Sequence, residues 1–75
     1  MDGSLIPRYN SFLQMIKTKG ITKITCNELF AQYGYIFDNK HNLFKLCLEY
    51  LENQGEILIE RPAFNDALFL SIEVL

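Results

Sequence analysis

An α+β domain is predicted by three features of this 75-residue chain. The first third carries apolar residues at three- and four-residue steps that stop at a glycine. A Thr-x-x-Glu box opens a second helical run in the middle, and the last quarter holds two β-prone stretches around a turn-rich segment.

Each element follows from local signals. Ser4 is placed to cap the first helix and Pro7 lies near its first turn, where its missing N–H costs nothing. Tyr9, Phe12, Leu13 and Ile16 then form one apolar stripe, and Gly20 supplies a left-handed stop behind Lys17 and Lys19. Helix 1 is expected over Pro7 to Lys19. Ile21 to Ile24 is short, alternating and β-branched, as in an edge strand. Thr25 caps a second helix and Glu28 reaches back to it. Leu29, Phe30 and Tyr33 face inward there, Gly34 ends the helix, and Tyr35 to Asp38 reads as a turn.

Asp38 or Asn39 is expected to cap helix 3, which runs to about Asn53 before Gly55. Its apolar positions are Leu43, Phe44, Leu46, Cys47, Leu48, Tyr50 and Leu51. They cover roughly 200° of arc, more than one buried face requires. Phe44 and Leu48 fall at the edge of that arc, where a helix packed on two sides and an edge that docks elsewhere are both readings. Glu56 to Glu60 and Ala67 to Val74 make the final hairpin, joined by Arg61-Pro62-Ala63-Phe64-Asn65-Asp66. Helix, strand, helix, helix, strand, strand is the order of a winged helix, in which a helix-turn-helix is followed by a hairpin that pairs with the early strand.

Composition bounds the rest. The chain is 49% hydrophobic with six Phe and four Tyr, enough for one small core without staples. Residues 1–75 are expected to form a single domain, a piece of a larger protein. No run approaches the roughly 20 apolar residues that cross a bilayer, and no membrane partner is expected. Cys26 and Cys47 lie on the apolar sides of helices, so reduced buried thiols in an intracellular protein are expected rather than a bridge. A net charge of −2 differs from the basic excess with which a dedicated nucleic-acid binder neutralises phosphates.

Catalytic material is sparse. His41 is the only histidine, and Cys26, His41 and Cys47 fit no metal-ligand spacing. Glu49 and Glu52 read as a solvated helix face, and no glycine loop cradles a phosphate. No enzymatic role, metal or cofactor is expected. Two binding surfaces remain. The first is a protein interface at Leu48, Phe64 and Phe69: an aromatic in the wing loop, a second one opposite Ile57 or Ile59 on the hairpin, and the helix 3 edge. In that reading Leu68, Leu70, Ile72 and Val74 share the other hairpin face, and Phe69→Asp abolishes association while sparing the fold. The partner is another protein chain, with a second copy of this one as a candidate. The alternative is duplex DNA, contacted by Lys40, His41, Asn42 and Lys45 at the start of helix 3 and by Arg61 in the wing. Glu49, Glu52, Glu60 and Asp66 oppose it.

A family resemblance bears on both readings. Thr25, Leu29 and Phe30 (within ITKITCNELFAQ), Ile57–Glu60 (ILIE), Asn65–Asp66 and Leu68–Ile72 (LFLSI) resemble the pieces of the C-terminal winged helix of origin-recognition and replication-licensing AAA+ ATPases. The likeness is above all to the largest origin-recognition subunit. It covers about two-thirds of the chain and consists of hydrophobic pattern rather than catalytic signature. It implies a nuclear chromatin or replication protein whose winged helix helps an ATPase hold DNA and dock subunits. In a yeast gene-silencing paralogue, the resemblance implies self-association instead. Leu48–Leu58 (LxxLxxxGxIL) is also similar to the winged-helix segment of Roco proteins.

Overall fold

The computed structural model describes residues 6–65 and 68–75. The roles expected for Ser4 as a cap, Asp66 in the turn and Ala67 at a strand start lie outside these residues. The elements are α1 (Ile6–Thr18), β1 (Lys23–Thr25), α2 (Cys26–Tyr33), a 3-10 turn (Gly34–Phe37), α3 (His41–Asn53), β2 (Ile57–Glu60) and β3 (Ser71–Val74). Three α-helices and one three-stranded antiparallel sheet, in the order β1-β3-β2, make a mixed α+β fold.

Two of the helix stops are built alike. Gly20 and Gly55 both have φ of +75°. After α1, Gly20 N–H donates to Lys17 O and Ile21 N–H to Ile16 O, at 3.0 and 3.1 Å. After α3, Gly55 N–H donates to Glu52 O and Glu56 N–H to Leu51 O, both at 3.0 Å. Each pair is a Schellman motif, which satisfies the last carbonyls of the helix and reverses the chain. At the start of α2, Thr25 Oγ1 accepts from Glu28 N–H at 3.2 Å. The Glu28 carboxylate accepts the Thr25 hydroxyl proton at 3.4 Å, so its reach back ends on the side chain of the cap.

Between α2 and α3 the chain departs from expectation. Tyr35–Asp38 is not a simple turn, because residues 34–37 continue α2 as a 3-10 turn that buries Phe37. Gly34 is right-handed, and its lack of a side chain serves close packing. A Cβ there would lie 3.1 Å from the Phe30 ring and 3.3 Å from Asn39 Oδ1. The left-handed residues that turn the chain are Asp38 and Asn39, both at φ 57°, a region Asn and Asp tolerate better than most. Neither caps α3. Lys40 occupies that position and makes no side-chain capping bond.

The core joins all three helices to one sheet face. Phe12 of α1, Phe37 of the 3-10 turn and Phe44 of α3 meet edge-to-face, with centroids 5.2 to 6.4 Å apart. Ile57 and Ile72 are buried beneath them, with Ile24, Ile59 and Val74 partly buried alongside. Leu48 is 0% exposed and Phe44 1%. The broad apolar arc of α3 therefore belongs to a helix packed on more than one side, the first of the two readings, and the assignment of Leu48 to an interface edge is corrected.

The hairpin register is Ile57↔Val74, Leu58↔Glu73, Ile59↔Ile72 and Glu60↔Ser71. Leu70 N–H also donates to Glu60 O at 2.8 Å, so Leu70 and Ser71 together oppose Glu60. This two-against-one arrangement is a β-bulge. It breaks the alternation expected for residues 68–74. Leu70 lines the same outer hollow as Ser71, whereas Phe69 packs against the core that includes Ile72.

Candidate functional site

The connection from Arg61 to Leu70 carries the features that distinguish the surface. Its first turn closes with Asn65 N–H on Pro62 O at 3.2 Å. Pro62 is buried, and Phe64 stands 84% exposed, the most exposed large apolar side chain described. Leu68 and Leu70, at 45% and 47%, follow on the same connection. A phenyl ring in water forgoes the roughly 2 kcal/mol that burial would return. Phe64 is where the sequence places an interface residue.

Phe69 is not part of that exposed set. It is partly buried, with Lys45 Nζ 5.0 Å and the Arg61 guanidinium carbon 4.9 Å from its ring centroid. Arg61 in turn makes a bidentate pair with Glu52, Nη1 to Oε2 at 2.8 Å and Nη2 to Oε1 at 2.9 Å. The Arg61 hydrogen bonds hold the Glu52 carboxyl below its ordinary value; its partial burial opposes this, and the Arg61 charge and the Ile59 backbone N–H add to the lowering. Glu52, Arg61, Phe69 and Lys45 thus brace α3 to both ends of the connection. The expectation that Phe69→Asp spares the fold is corrected for the same reason: the ring packs on the core.

The five residues considered for DNA divide into two groups. Lys40, His41 and Asn42 lie together, exposed, at the first turn of α3. The His41 ring is held edge-on to Phe30 at 5.0 Å and near Phe44 at 6.0 Å. Lys45 and Arg61 are instead turned onto Phe69. Of the two helix carboxylates, Glu49 is solvated as expected, but Glu52 is the partner of Arg61.

A small hollow of about 120 Å³ lies between the ends of α2 and α3 and the last residues before β3. Cys26 and Asn27, then His41, Phe44 and Lys45, then Leu68 and Phe69 line it. Nothing in the sequence pattern marked this site, because it is assembled from three separate segments.

The two cysteines are core residues. Cys26 and Cys47 are free and buried, and burial pushes their pKa values up to about 11 and about 12. A protonated thiol is a poor nucleophile and a poor ligand. Among the described residues no three His, Cys, Asp or Glu side chains converge to hold a metal, and no helix is long and apolar enough to cross a membrane. Compared with protein-family models, curated proteins and solved structures, the chain matches none of them.

Proposed function

We propose that the domain is a winged helix that works as a non-catalytic assembly module, burying its wing against another protein chain. In this reading α2 and α3 form the helix-turn-helix, and β2, β3 and the connection between them form the wing. The helix order and the pairing of β3 with both β1 and β2 support it. The observation that carries the function is Phe64, 84% exposed at the tip of a connection that also presents Leu68 and Leu70. Aromatic side chains are enriched among the residues that anchor protein interfaces, and a contiguous exposed apolar patch marks such a surface. The resemblance of Thr25–Phe30 and Ile57–Ile72 to origin-recognition winged helices supports placing the module in a nuclear replication or chromatin protein.

Contact with duplex DNA through Lys40, His41, Asn42, Lys45 and Arg61 is the weaker reading. The Arg61 guanidinium is engaged by Glu52, and the net charge is −2. Two titrations separate the readings: labelled duplex DNA across a salt series, and the chain against itself across a concentration series. Association between chains that weakens with Phe64→Ser supports the assembly module. Tight DNA binding that falls steeply with salt, is lost in Lys40→Ala and is unchanged in Phe64→Ser contradicts it.

A further inference from the structure

Because β3 lies between β1 and β2, both of those strands are edges of the sheet. An open edge is a template for another strand unless something blunts it. β1 is three residues long, runs directly into α2 and carries Lys23, and each of these features blunts an edge. β2 has no such device of its own: it reads Ile57-Leu58-Ile59-Glu60, and Leu58 is 53% exposed. The ladder shows which backbone groups face its open side. Leu75 N–H donates to Glu56 O at 3.0 Å and Leu70 N–H to Glu60 O at 2.8 Å, so the even-numbered residues bond to β3. By the alternation of an antiparallel pair, the N–H and C=O groups of Ile57 and Ile59 point away from β3. The Ile59 N–H is already engaged, because it donates to the carboxylate of Glu52 on α3. Two bonds from Arg61 hold that carboxylate in place.

Going beyond the assembly reading, which concerns the wing, we propose that Glu52 guards the β2 edge. Its carboxylate occupies the Ile59 N–H and so keeps β2 from pairing with β2 of a second copy. A strand that adds there must break the bonds to Glu52 and desolvate its charge. A second copy is the partner that fits this edge, since identical strands paired antiparallel are related by a two-fold axis and need no further complementary surface. Pairing centred on Leu58 matches Ile57 of each strand with Ile59 of the other and sets the two exposed Leu58 side chains together.

The test is sedimentation equilibrium on chains that all carry Phe64→Ser, so that association through the wing is removed. Glu52→Ala and Arg61→Ala both break the brace to α3, but only Glu52→Ala uncovers the Ile59 N–H. Glu52→Ala is expected to associate at least about 10-fold more tightly than Arg61→Ala, and adding Leu58→Lys to it should restore the monomer. A monomeric Glu52→Ala, equal association of Glu52→Ala and Arg61→Ala, or a dimer that Leu58→Lys leaves intact overturns the inference. Amide exchange supplies a second reading that needs no change at Glu52. In the chain carrying Phe64→Ser alone, the Ile59 amide should exchange at least about 10-fold more slowly than in an unstructured peptide. Unhindered exchange at Ile59 also overturns the inference, whatever the stability of the Glu52 variant. None of these outcomes bears on the wing, whose own test is Phe64→Ser in the otherwise unaltered chain.

Discussion

Arg61 and Glu52, nine residues apart across the Gly55 stop, form two parallel hydrogen bonds of 2.8 and 2.9 Å. The pair fastens the end of α3 to the first residue beyond β2, and the same guanidinium covers Phe69. Paired geometry of this kind in a partly buried place is worth more than an exposed ion pair. Arg61→Ala is expected to cost about 1 to 2 kcal/mol, including the packing lost over Phe69. Urea unfolding measures it, and an effect within a few tenths of a kcal/mol would show that the brace is incidental.

The pair also sets a pH dependence. The Glu52 carboxyl titrates below its ordinary value in the folded chain, so the stability it contributes is present above the unfolded carboxylate range, near pH 4.3, and is lost as pH falls through the lower folded value. Unfolding of wild type followed from pH 6 down to pH 3 should show this loss. Glu52→Gln should be less stable at pH 6 and show a shallower decline toward acid. Parallel curves for the two proteins would contradict the assignment.

At Gly34 the requirement is space. Gly34→Ala places a methyl group 3.1 Å from the Phe30 ring, and about 1 to 2 kcal/mol of stability is expected to go, with shifted Phe30 and Asn39 resonances. Gly20 differs, because nothing lies within 4 Å of a Cβ there. Only its φ of +75° opposes substitution, so Gly20→Asn should be better tolerated than Gly20→Val. Chemical denaturation of the three variants checks the order.

Leu48 and Leu46 give a contrast within one helix. Leu48 is fully buried, whereas Leu46 is 49% exposed. Leu48→Ala is expected to lose about 2 to 5 kcal/mol and Leu46→Ala less than about 1 kcal/mol. Equal losses would mean that the packing of α3 differs from the structure described.

What could be read along the chain, and what could not, divides by distance in sequence. Gly20, Gly55 and Thr25 announce helix ends because their partners lie within five residues. The broad arc of α3 was legible, but the side on which Leu48 finds cover depends on how the other elements close around it. Phe37 was overlooked as a core residue because a short 3-10 turn has no periodicity to reveal it. Phe69 was assigned to the wrong face because one bulge residue, Leu70, reverses the alternation on which the assignment rested. The engagement of Arg61 with Glu52 spans a turn and a strand, and local pattern does not encode it. The exposure of Phe64 was legible from its position in a loop with no core beside it.

The most direct measurement of the central claim is light scattering coupled to size exclusion, across a concentration series at moderate salt, for wild type and Phe64→Ser. Wild type is expected to run as a dimer that dissociates on dilution, and Phe64→Ser as a folded monomer at every concentration. A wild-type monomer throughout, or a dimer that Phe64→Ser leaves intact, would contradict self-assembly through the exposed ring of the wing.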